Sequence, residues 1–349
     1  MNLIDFHTST VFASGKDGYH TYRIPALVVT PSGEALAFCE GRRDGQGDQG
    51  IIDLLLKRSS DGGRSWSSQA VVHQDRSEPD VTIGNPCPIV DDQDGTVHLL
   101  FTRNNERLFY TKSRDVGQTW STPVEHTAIL DALDFPWKRI ATGPVHGIQT
   151  RDGRLLAPIW VCDQTIKSIH DGHATARYRA GVLYSDHHGA TWHTGALADD
   201  AIPNQNECTL AERGDGSLLL NCRAHRLGCR VQATSTDRGL SWSEPVRVEE
   251  LPCPTCQGAL LDSDGDTLYF LNPAVAYTRG YNPKARRNLT LRRSLDGGRT
   301  WPESAILHPG PAGYSDLAAL PDGALLCLAE TGENDYQESI TAFSLRLPS

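Results

Sequence analysis

Short apolar runs and polar turns alternate along the chain in a cycle that repeats, with the last repeat one strand short. The first cycle has a run at Ile24–Thr30, a turn at residues 31–33, a second run at Glu34–Glu40, a polar loop, and a third run at Ile51–Arg58. Runs of this length, bounded by turn residues, are typical of antiparallel strands. The pattern therefore predicts an all-β chain.

An octapeptide of the form Ser-x-Asp-x-Gly-x-x-Trp follows the third run of each of the first five cycles. The copies lie at Ser59–Trp66, Ser113–Trp120, Ser185–Trp192, Ser235–Trp242 and Ser294–Trp301, and the third copy has His187 in place of Asp. Ser and Asp side chains bond nearby backbone N–H groups, Gly accepts a positive φ, and Trp supplies apolar area. Each copy therefore predicts a stapled hairpin turn, called here the octapeptide turn.

The repeat predicts a β-propeller. Units of about 50 to 70 residues that can each form four antiparallel strands are what this fold needs. The sixth cycle begins at Tyr314–Leu320 and lacks a strand, which Ser9–Ala13 can supply. We therefore predict one domain over residues 1–349, a six-bladed β-propeller of four-stranded antiparallel blades. An open solenoid or a β-sandwich is disfavoured because the octapeptide recurs at the same phase of the cycle.

Composition and charge limit the classes of partner. Hydrophobic residues make up 38% of the chain and charged residues 22%, with no apolar run of membrane-spanning length, so a soluble protein without a membrane span is expected. A net charge of −10 argues against nucleic acid or an anionic membrane as a partner. The amino terminus has no basic segment followed by an apolar run, so we expect a cytoplasmic protein, with secretion left open.

The nine cysteines do not predict a disulfide framework, because the number is odd and most are isolated. Cys253 and Cys256 form the one close pair, and no second pair stands at zinc spacing. A turn with two structural thiols is favoured over a metal or redox site. We therefore expect neither a metal nor a cofactor.

Antiparallel topology predicts where a site can form. The start of each first strand, the end of each second strand and the loop to the third strand share one rim, and the octapeptide turns lie on the other. Seven ionisable residues from cycles one, four, five and six fall on the first rim: Arg23, Asp48, Glu207, Arg223, Arg286, Tyr314 and Glu330. Residues from such distant cycles can meet only at the central axis.

Three arginines in this set suggest the charge of the ligand. Arg23, Arg223 and Arg286 would repel one another in a folded protein, so their meeting is expected only if they bind a carboxylate. For each of them taken singly, a surface arginine is the favoured interpretation. Arg287 is an alternative to Arg286, because the two are adjacent.

The segment Tyr22-Arg23-Ile24-Pro25, combined with the repeated octapeptide, resembles the exo-sialidases, also called neuraminidases, whose repeated turn is known as the Asp-box. The resemblance extends over essentially the whole chain, through Ala312-Gly313-Tyr314-Ser315 to Glu330. It implies a glycoside hydrolase that releases terminal sialic acid from sialylated glycans with net retention and a tyrosine nucleophile.

The resemblance also implies a role for each residue. Tyr314 would attack the anomeric carbon, with Glu207 as its base. Arg23, Arg223 and Arg286 would bind the substrate carboxylate, Glu330 would orient Arg23, and Arg42 would contact the sugar hydroxyls or the carboxylate. Asp48, preferred over nearby Asp44 by its spacing to the third strand, would be the acid and base for the leaving group, which requires a raised pKa. Candidates for the pocket around the C5 substituent are Asn85, Trp137, His146 and Trp160.

Other functions remain open. A sialidase preferring the deaminated sugar Kdn, a trans-sialidase, and a binding propeller without turnover would share the arginines. A binding protein has no need of Tyr314, Glu207 and Asp48 together, so their joint presence favours the enzyme.

Overall fold

A computed structural model describes residues 1, 3–165, 176–277 and 285–347 of the chain. Within these ranges the fold is all-β apart from one short 3-10 helix at Thr127–Ala132, as the sequence predicts. None of the helical structure in these ranges is long and apolar enough to span a membrane.

The first strand of the chain is β1, at Ile4–Ala13, and it joins the last sheet. Two four-stranded antiparallel sheets follow, each with its strands in chain order. The first contains β2 (Thr21–Val29), β3 (Ala35–Arg42), β4 (Ile52–Ser59) and β5 (Ala70–His73). The second contains β6 (Ile83–Val90), β7 (Val97–Arg103), β8 (Arg107–Ser113) and β9 (Val124–Glu125).

The third and fourth sheets repeat this arrangement with one variation. The third contains β10 (Arg139–Thr142), β11 (Ile148–Gln149), β12 (Leu155–Cys162), β13 (Tyr178–Ser185) and β14 (His193–Leu197). The fourth contains β15 (Gln205–Glu212), β16 (Leu218–Ala224), β17 (Cys229–Ser235) and β18 (Val246–Pro252).

The last sheet has seven strands in the order β1-β24-β23-β22-β21-β20-β19. Its remaining strands are β19 (Ala259–Asp262), β20 (Leu268–Pro273), β21 (Arg287–Ser294), β22 (Glu303–Ala319), β23 (Leu325–Thr331) and β24 (Ser339–Arg346). β1 pairs antiparallel with β24, with Ser9 opposite Ala342 and Ala13 opposite Ser339. The prediction that Ser9–Ala13 completes the last unit is confirmed.

Strands of successive cycles surround one axis; these are the first strands, except in the third cycle, where the second strand, β12, makes the contacts. β2 contacts β6, β6 contacts β12, β12 contacts β15, β15 contacts β19, β19 contacts β22, and β22 contacts β2. The chain is therefore a β-propeller.

The third cycle has no single continuous first strand. The structure has two short strands there, β10 and β11, which both pair with β12. Pro144 has no N–H to donate to a ladder, and Gly143 has a φ of +60°. The strand is therefore interrupted, and His146 lies in the interruption.

Each octapeptide turn follows a third strand, as predicted. In the first copy Gly63 N donates to Ser59 Oγ at 2.9 Å, and Arg64 N and Ser65 N each donate to Asp61 Oδ1 at 3.0 Å. Burial alone would raise the pKa of Asp61, but the hydrogen bonds from Ser65, Ser59 and Arg64 together outweigh it and lower the pKa to about 2. The turn is a closed network of side-chain to backbone bonds.

The core lies between neighbouring sheets. Phe38 and Leu54 of the first sheet pack with Leu99 and Phe101 of the second, and Trp120 of an octapeptide turn lies 5.8 Å from the Phe38 ring. All nine cysteines are buried and none forms a disulfide. Each Å² of apolar surface buried in this way contributes roughly 25 cal/mol to the free energy of folding.

Candidate active site

The structure brings the eight residues singled out from the sequence into one network at the axis. Three come from first strands, three from second strands or their ends, and two from segments leading to third strands. Arg23 lies on β2, Glu207 on β15 and Tyr314 on β22; Arg42 ends β3, Arg223 lies on β16 and Glu330 on β23; Asp48 lies in the β3–β4 loop and Arg286 directly precedes β21.

First strands reach the axis through β-bulges. The register with the second strand shifts by one residue between Arg23 and Ala26 in β2, between Gln205 and Cys208 in β15, and between Ala312 and Ser315 in β22. β6 has the same shift. A bulge bends the strand and re-aims a side chain, which here turns Tyr314 and Glu207 toward the axis.

Tyr314 and Glu207 form a buried pair. The Tyr314 hydroxyl donates a short hydrogen bond to Glu207 Oε1, and each residue is 7% exposed. Arg223 Nη1 lies 2.7 Å from Glu207 Oε2 and donates to Tyr314 Oη at 3.3 Å. Burial, with the nearby Glu207 charge, raises the pKa of Tyr314 well above its ordinary value. The phenol is therefore neutral and hydrogen-bonded to a carboxylate that can accept its proton.

Glu330 connects two parts of the site. Its fully buried carboxylate accepts from Arg23 Nε at 3.0 Å and Nη2 at 3.1 Å, in a bidentate pair. Ile24 N donates to Oε1 at 2.9 Å and Tyr314 N donates to Oε2 at 3.1 Å. One carboxylate thus fixes the Arg23 side chain and the backbone that carries Tyr314.

Arg286 is the adjacent arginine that reaches the site. It is 5% exposed, donates to Thr255 O at 2.9 Å, and its guanidinium carbon lies 5.5 Å from the Tyr314 ring centroid. Arg287 begins β21 and is exposed. Neighbouring strand residues face opposite sides, which explains why only one of the two points inward.

Asp48 contacts two arginines of the site. Asp48 Oδ1 lies 2.8 Å from Arg42 Nη1 and 3.3 Å from Arg23 Nη1, and its side chain remains 53% exposed. Desolvation raises the pKa of Asp48, but the charges of Arg42 and Arg23 outweigh it and hold the pKa below its usual range. The expectation of a raised pKa is therefore wrong. Asp44 is exposed and lines a cavity of about 630 Å³.

Comparison with known proteins assigns the family. The family profile described as a BNR repeat-like domain matches residues 33–327. Bovine Sialidase-3 (Bos taurus) is 30% identical over 391 residues, covering 93% of this chain and 89% of its own length. The chain belongs to the exo-sialidase family. This is a family of glycoside hydrolases.

Two further similarities agree with membership of the exo-sialidase family. A sialidase from Micromonospora viridifaciens is 31% identical over 347 residues, covering 91% of this chain. This chain spans 51% of that protein's length. The solved structure of the Hadza microbial sialidase Hz136 superposes with a TM-score of 0.82 at 29% identity, over 97% of this chain and 68% of the other.

Glu40 is a residue of this sialidase-family site that the sequence reasoning did not single out. Its buried Oε2 accepts from Arg42 Nη2 at 2.8 Å and Nε at 3.2 Å, while Oε1 accepts from Asn85 N at 3.0 Å. Burial raises the pKa of Glu40, against the opposing charge of Arg42. The available signal was its position opposite Arg23 at the end of a second strand.

The candidates for a C5 pocket have separate environments in this sialidase-family chain. His146 Nδ1 is 2.6 Å from Asp316 Oδ1, and Asp316 Oδ2 also accepts from Leu27 N at 2.8 Å and His146 N at 3.0 Å. His146 therefore belongs to a buried network between strands. Trp160 packs 5.7 Å from the ring of Tyr178. Asn85 lies at the β6 bulge, and Trp137 packs on the core of the second and third sheets.

Proposed function

We propose that the chain is an exo-α-sialidase that releases terminal sialic acid from sialylated glycans with net retention, using Tyr314 as the nucleophile. The observation that carries the proposal is the buried hydrogen bond from the Tyr314 phenol to Glu207 among arginines from separate strands. Several relatives are named sialidases, which supports the same substrate class for this chain.

A tyrosine nucleophile suits the charge of this substrate. Sialic acid carries its carboxylate on the anomeric carbon, so an anionic Asp or Glu nucleophile would approach against repulsion. A neutral phenol avoids the repulsion but is a poor nucleophile at its ordinary pKa near 10. The hydrogen bond to Glu207 supplies a base at the correct distance for accepting the proton.

Arg23, Arg223 and Arg286 are placed to bind the substrate carboxylate. Each is mostly buried, and each lies near Tyr314: Arg23 has its guanidinium carbon 5.0 Å from the ring centroid, Arg286 lies at 5.5 Å, and Arg223 bonds the hydroxyl. Guanidinium groups offer planar, bidentate donors that match a carboxylate. Their mutual repulsion is relieved when the anion binds.

The proposed reaction has two steps. Tyr314 Oη bonds to the anomeric carbon and gives its proton to Glu207, while the bond to the leaving oxygen breaks and that oxygen takes a proton from Asp48. Asp48 then removes a proton from water, the water oxygen bonds to the anomeric carbon, and Tyr314 leaves with the proton from Glu207. Two displacements at one carbon give net retention.

This scheme requires a protonated Asp48, and substrate binding raises the pKa of Asp48 enough to favour that form. In the structure, the charges of Arg42 and Arg23 favour the ionised form of Asp48. A substrate carboxylate bound by Arg23 compensates that charge and adds an anion near Asp48. Both effects raise the pKa of Asp48 toward the value that a general acid needs.

We also propose that the chain folds as one domain with six blades. The pairing of β22 supports this division, because its first half pairs with β21 up to Pro311 and its second half pairs with β23 from Ala312 onward. β22 would then be the fourth strand of one blade and the first strand of the next. The seven-stranded sheet becomes two four-stranded blades that share β22.

The decisive experiment compares release of 4-methylumbelliferone from the α-glycosides of N-acetylneuraminic acid and Kdn by the wild-type chain and by Tyr314→Phe. We expect wild-type turnover, and a loss of at least about a thousandfold in the variant, because Phe cannot bond to the anomeric carbon. Sugar binding should persist in Tyr314→Phe, since the arginines are intact.

The outcomes separate the candidate functions. Equal turnover by Tyr314→Phe would refute the nucleophile assignment. Binding without turnover by the wild type would indicate a sialic-acid-binding propeller. Faster release from the Kdn glycoside would indicate a Kdn-preferring enzyme, and transfer to added lactose in place of water would indicate a trans-sialidase.

A further inference from the structure

Tyr336 lies beside two of the arginines that face the axis. It follows β23 and is 7% exposed. The guanidinium carbons of Arg23 and Arg286 each lie 5.5 Å from its ring centroid. The same two arginines flank the ring of Tyr314. Tyr336 is therefore part of the wall that would surround a bound carboxylate.

The segment that carries Tyr336 is held by its own hydrogen bonds. The carboxylate of Glu338 accepts from Glu333 N at 2.9 Å and from Asn334 N and Asp335 N at 3.0 Å each. A side chain at Gly313 would come within 2.6 Å of the Tyr336 ring, so glycine there permits the ring to approach the Tyr314 backbone. The position of Tyr336 is thus fixed before any ligand binds.

Most of Tyr336 is buried, but its hydroxyl has no hydrogen-bond partner among the described residues and is not fully enclosed by protein. Arg23 and Arg286, beside its ring, can only donate. Glu330 is nearby, but Oε1 already accepts from Arg23 and Ile24 and Oε2 from Arg23 and Tyr314. The neighbours therefore offer no acceptor for its proton, and burial, which raises the pKa of Tyr336, keeps that proton in place.

We propose that Tyr336 is a substrate-binding residue whose hydroxyl donates a hydrogen bond to the carboxylate held by Arg23 and Arg286. The inference rests on the proposed sialidase function and adds a fourth, uncharged donor to the three arginines. The groups around the Tyr336 hydroxyl offer it no acceptor. The carboxylate is the anionic group of this substrate and can serve as that acceptor. A hydrogen bond to a charged group is stronger than one between neutral groups.

The test uses two substitutions that separate the hydroxyl from the ring. Tyr336→Phe removes the hydroxyl and keeps the ring beside both arginines, whereas Tyr336→Leu removes both. Tyr269→Phe is the matched control, because Tyr269 is 8% exposed on β20 and packs in the apolar core. For each variant we would measure kcat and KM for the methylumbelliferyl sialoside and the inhibition constant of 2,3-didehydro-2-deoxy-N-acetylneuraminic acid.

Tyr336→Phe should raise KM and the inhibition constant roughly tenfold or more, with kcat within about twofold of wild type. The value of kcat should change little because the carboxylate is bound in both the ground state and the transition state, so losing the hydrogen bond affects both states equally. Tyr336→Leu should bind more weakly still, since the arginines also lose the ring. Tyr269→Phe should match the wild type.

Two results would overturn the inference. If Tyr336→Phe binds the inhibitor as tightly as the wild type, the hydroxyl does not contact the carboxylate. If only Tyr336→Leu binds weakly, the ring positions the arginines and the hydroxyl contributes nothing. A wild-type chain that neither hydrolyses the sialoside nor binds the inhibitor would instead refute the proposed function, so the two failures are distinguishable.

Discussion

Glu330→Gln perturbs the site and the fold at one point. The substitution conserves the shape of the side chain but replaces one acceptor oxygen with an amide that donates. Each oxygen of Glu330 accepts two N–H groups, so either orientation of the amide leaves two of the four donors without an acceptor. Arg23 also loses its fully buried counter-charge.

The size of the effect follows from burial. Removing one partner of a buried ion pair costs about 3–5 kcal/mol, because the other charge stays buried. Glutamine keeps one oxygen, and Asp48 still contacts Arg23. We therefore expect the free energy of unfolding to fall by about 2–4 kcal/mol. Because Arg23 is no longer fixed by both nitrogens, KM for the sialoside should rise about tenfold or more.

The assay pairs urea unfolding, followed by tryptophan fluorescence, with sialoside kinetics at neutral pH. Glu125→Gln is the control, because Glu125 accepts from Arg107 Nε at 2.9 Å while their side chains are 35% and 47% exposed. An exposed pair contributes about 0–1 kcal/mol, so this control should change little. Unchanged stability and KM in Glu330→Gln would refute the assignment of Glu330 as a four-bond anchor. A loss of stability with an unchanged KM would refute its orienting role alone.

Two further predictions concern the opposite rim and the leaving group. His187→Asp should raise the free energy of unfolding by about 1 kcal/mol, because the Asp copies accept backbone and hydroxyl donors that His187 does not; the figure is discounted for exposure. This gain in stability should be present above about pH 4 and lost toward pH 2, because the bonds from Thr119 are the main cause that lowers the pKa of the equivalent Asp115 to about 2. Asp115→His should show the reverse change. A gain in stability that does not depend on pH would contradict the reasoning. Asp48→Asn should reduce hydrolysis of a sialyl-lactose far more than that of the methylumbelliferyl sialoside, whose leaving group needs little protonation, and equal losses measured by initial rates would argue against Asp48 as the acid.

The sequence predicted third strands well because the octapeptide marks where they end. The run predicted at Ile51–Arg58 is β4 at Ile52–Ser59. Fourth strands such as Ala70–His73 and Val124–Glu125 were not located in the sequence, because they are outer, largely exposed strands without an apolar run.

Within the site, single residues with an unusual charge were found, and the groups that support them were not. Arg286 and Arg287 could not be separated by sequence, since only the strand direction decides which one faces inward. Tyr336 was missed because it lies outside the strands, and Glu40 was missed because its equivalence to Glu330 becomes visible only in the assembled sheets. The lowered pKa of Asp48 depends on how close Arg23 and Arg42 lie, which is a property of the assembled strands.

The bulges explain why this site and the fold depend on the same carboxylates. A regular first strand points its side chains at the two neighbouring sheets, so a bulge is needed to aim one at the axis, and each bulge leaves a backbone N–H outside the ladder. Glu330 accepts that N–H from Ile24 of the next sheet, and Glu40, at the same place in the first sheet, accepts it from Asn85 of the second. The same two carboxylates hold Arg23 and Arg42. The same carboxylate therefore accepts the free backbone N–H at the bulge and orients the arginine. A substitution that neutralises either carboxylate should for this reason disturb both the packing between sheets and the binding of substrate.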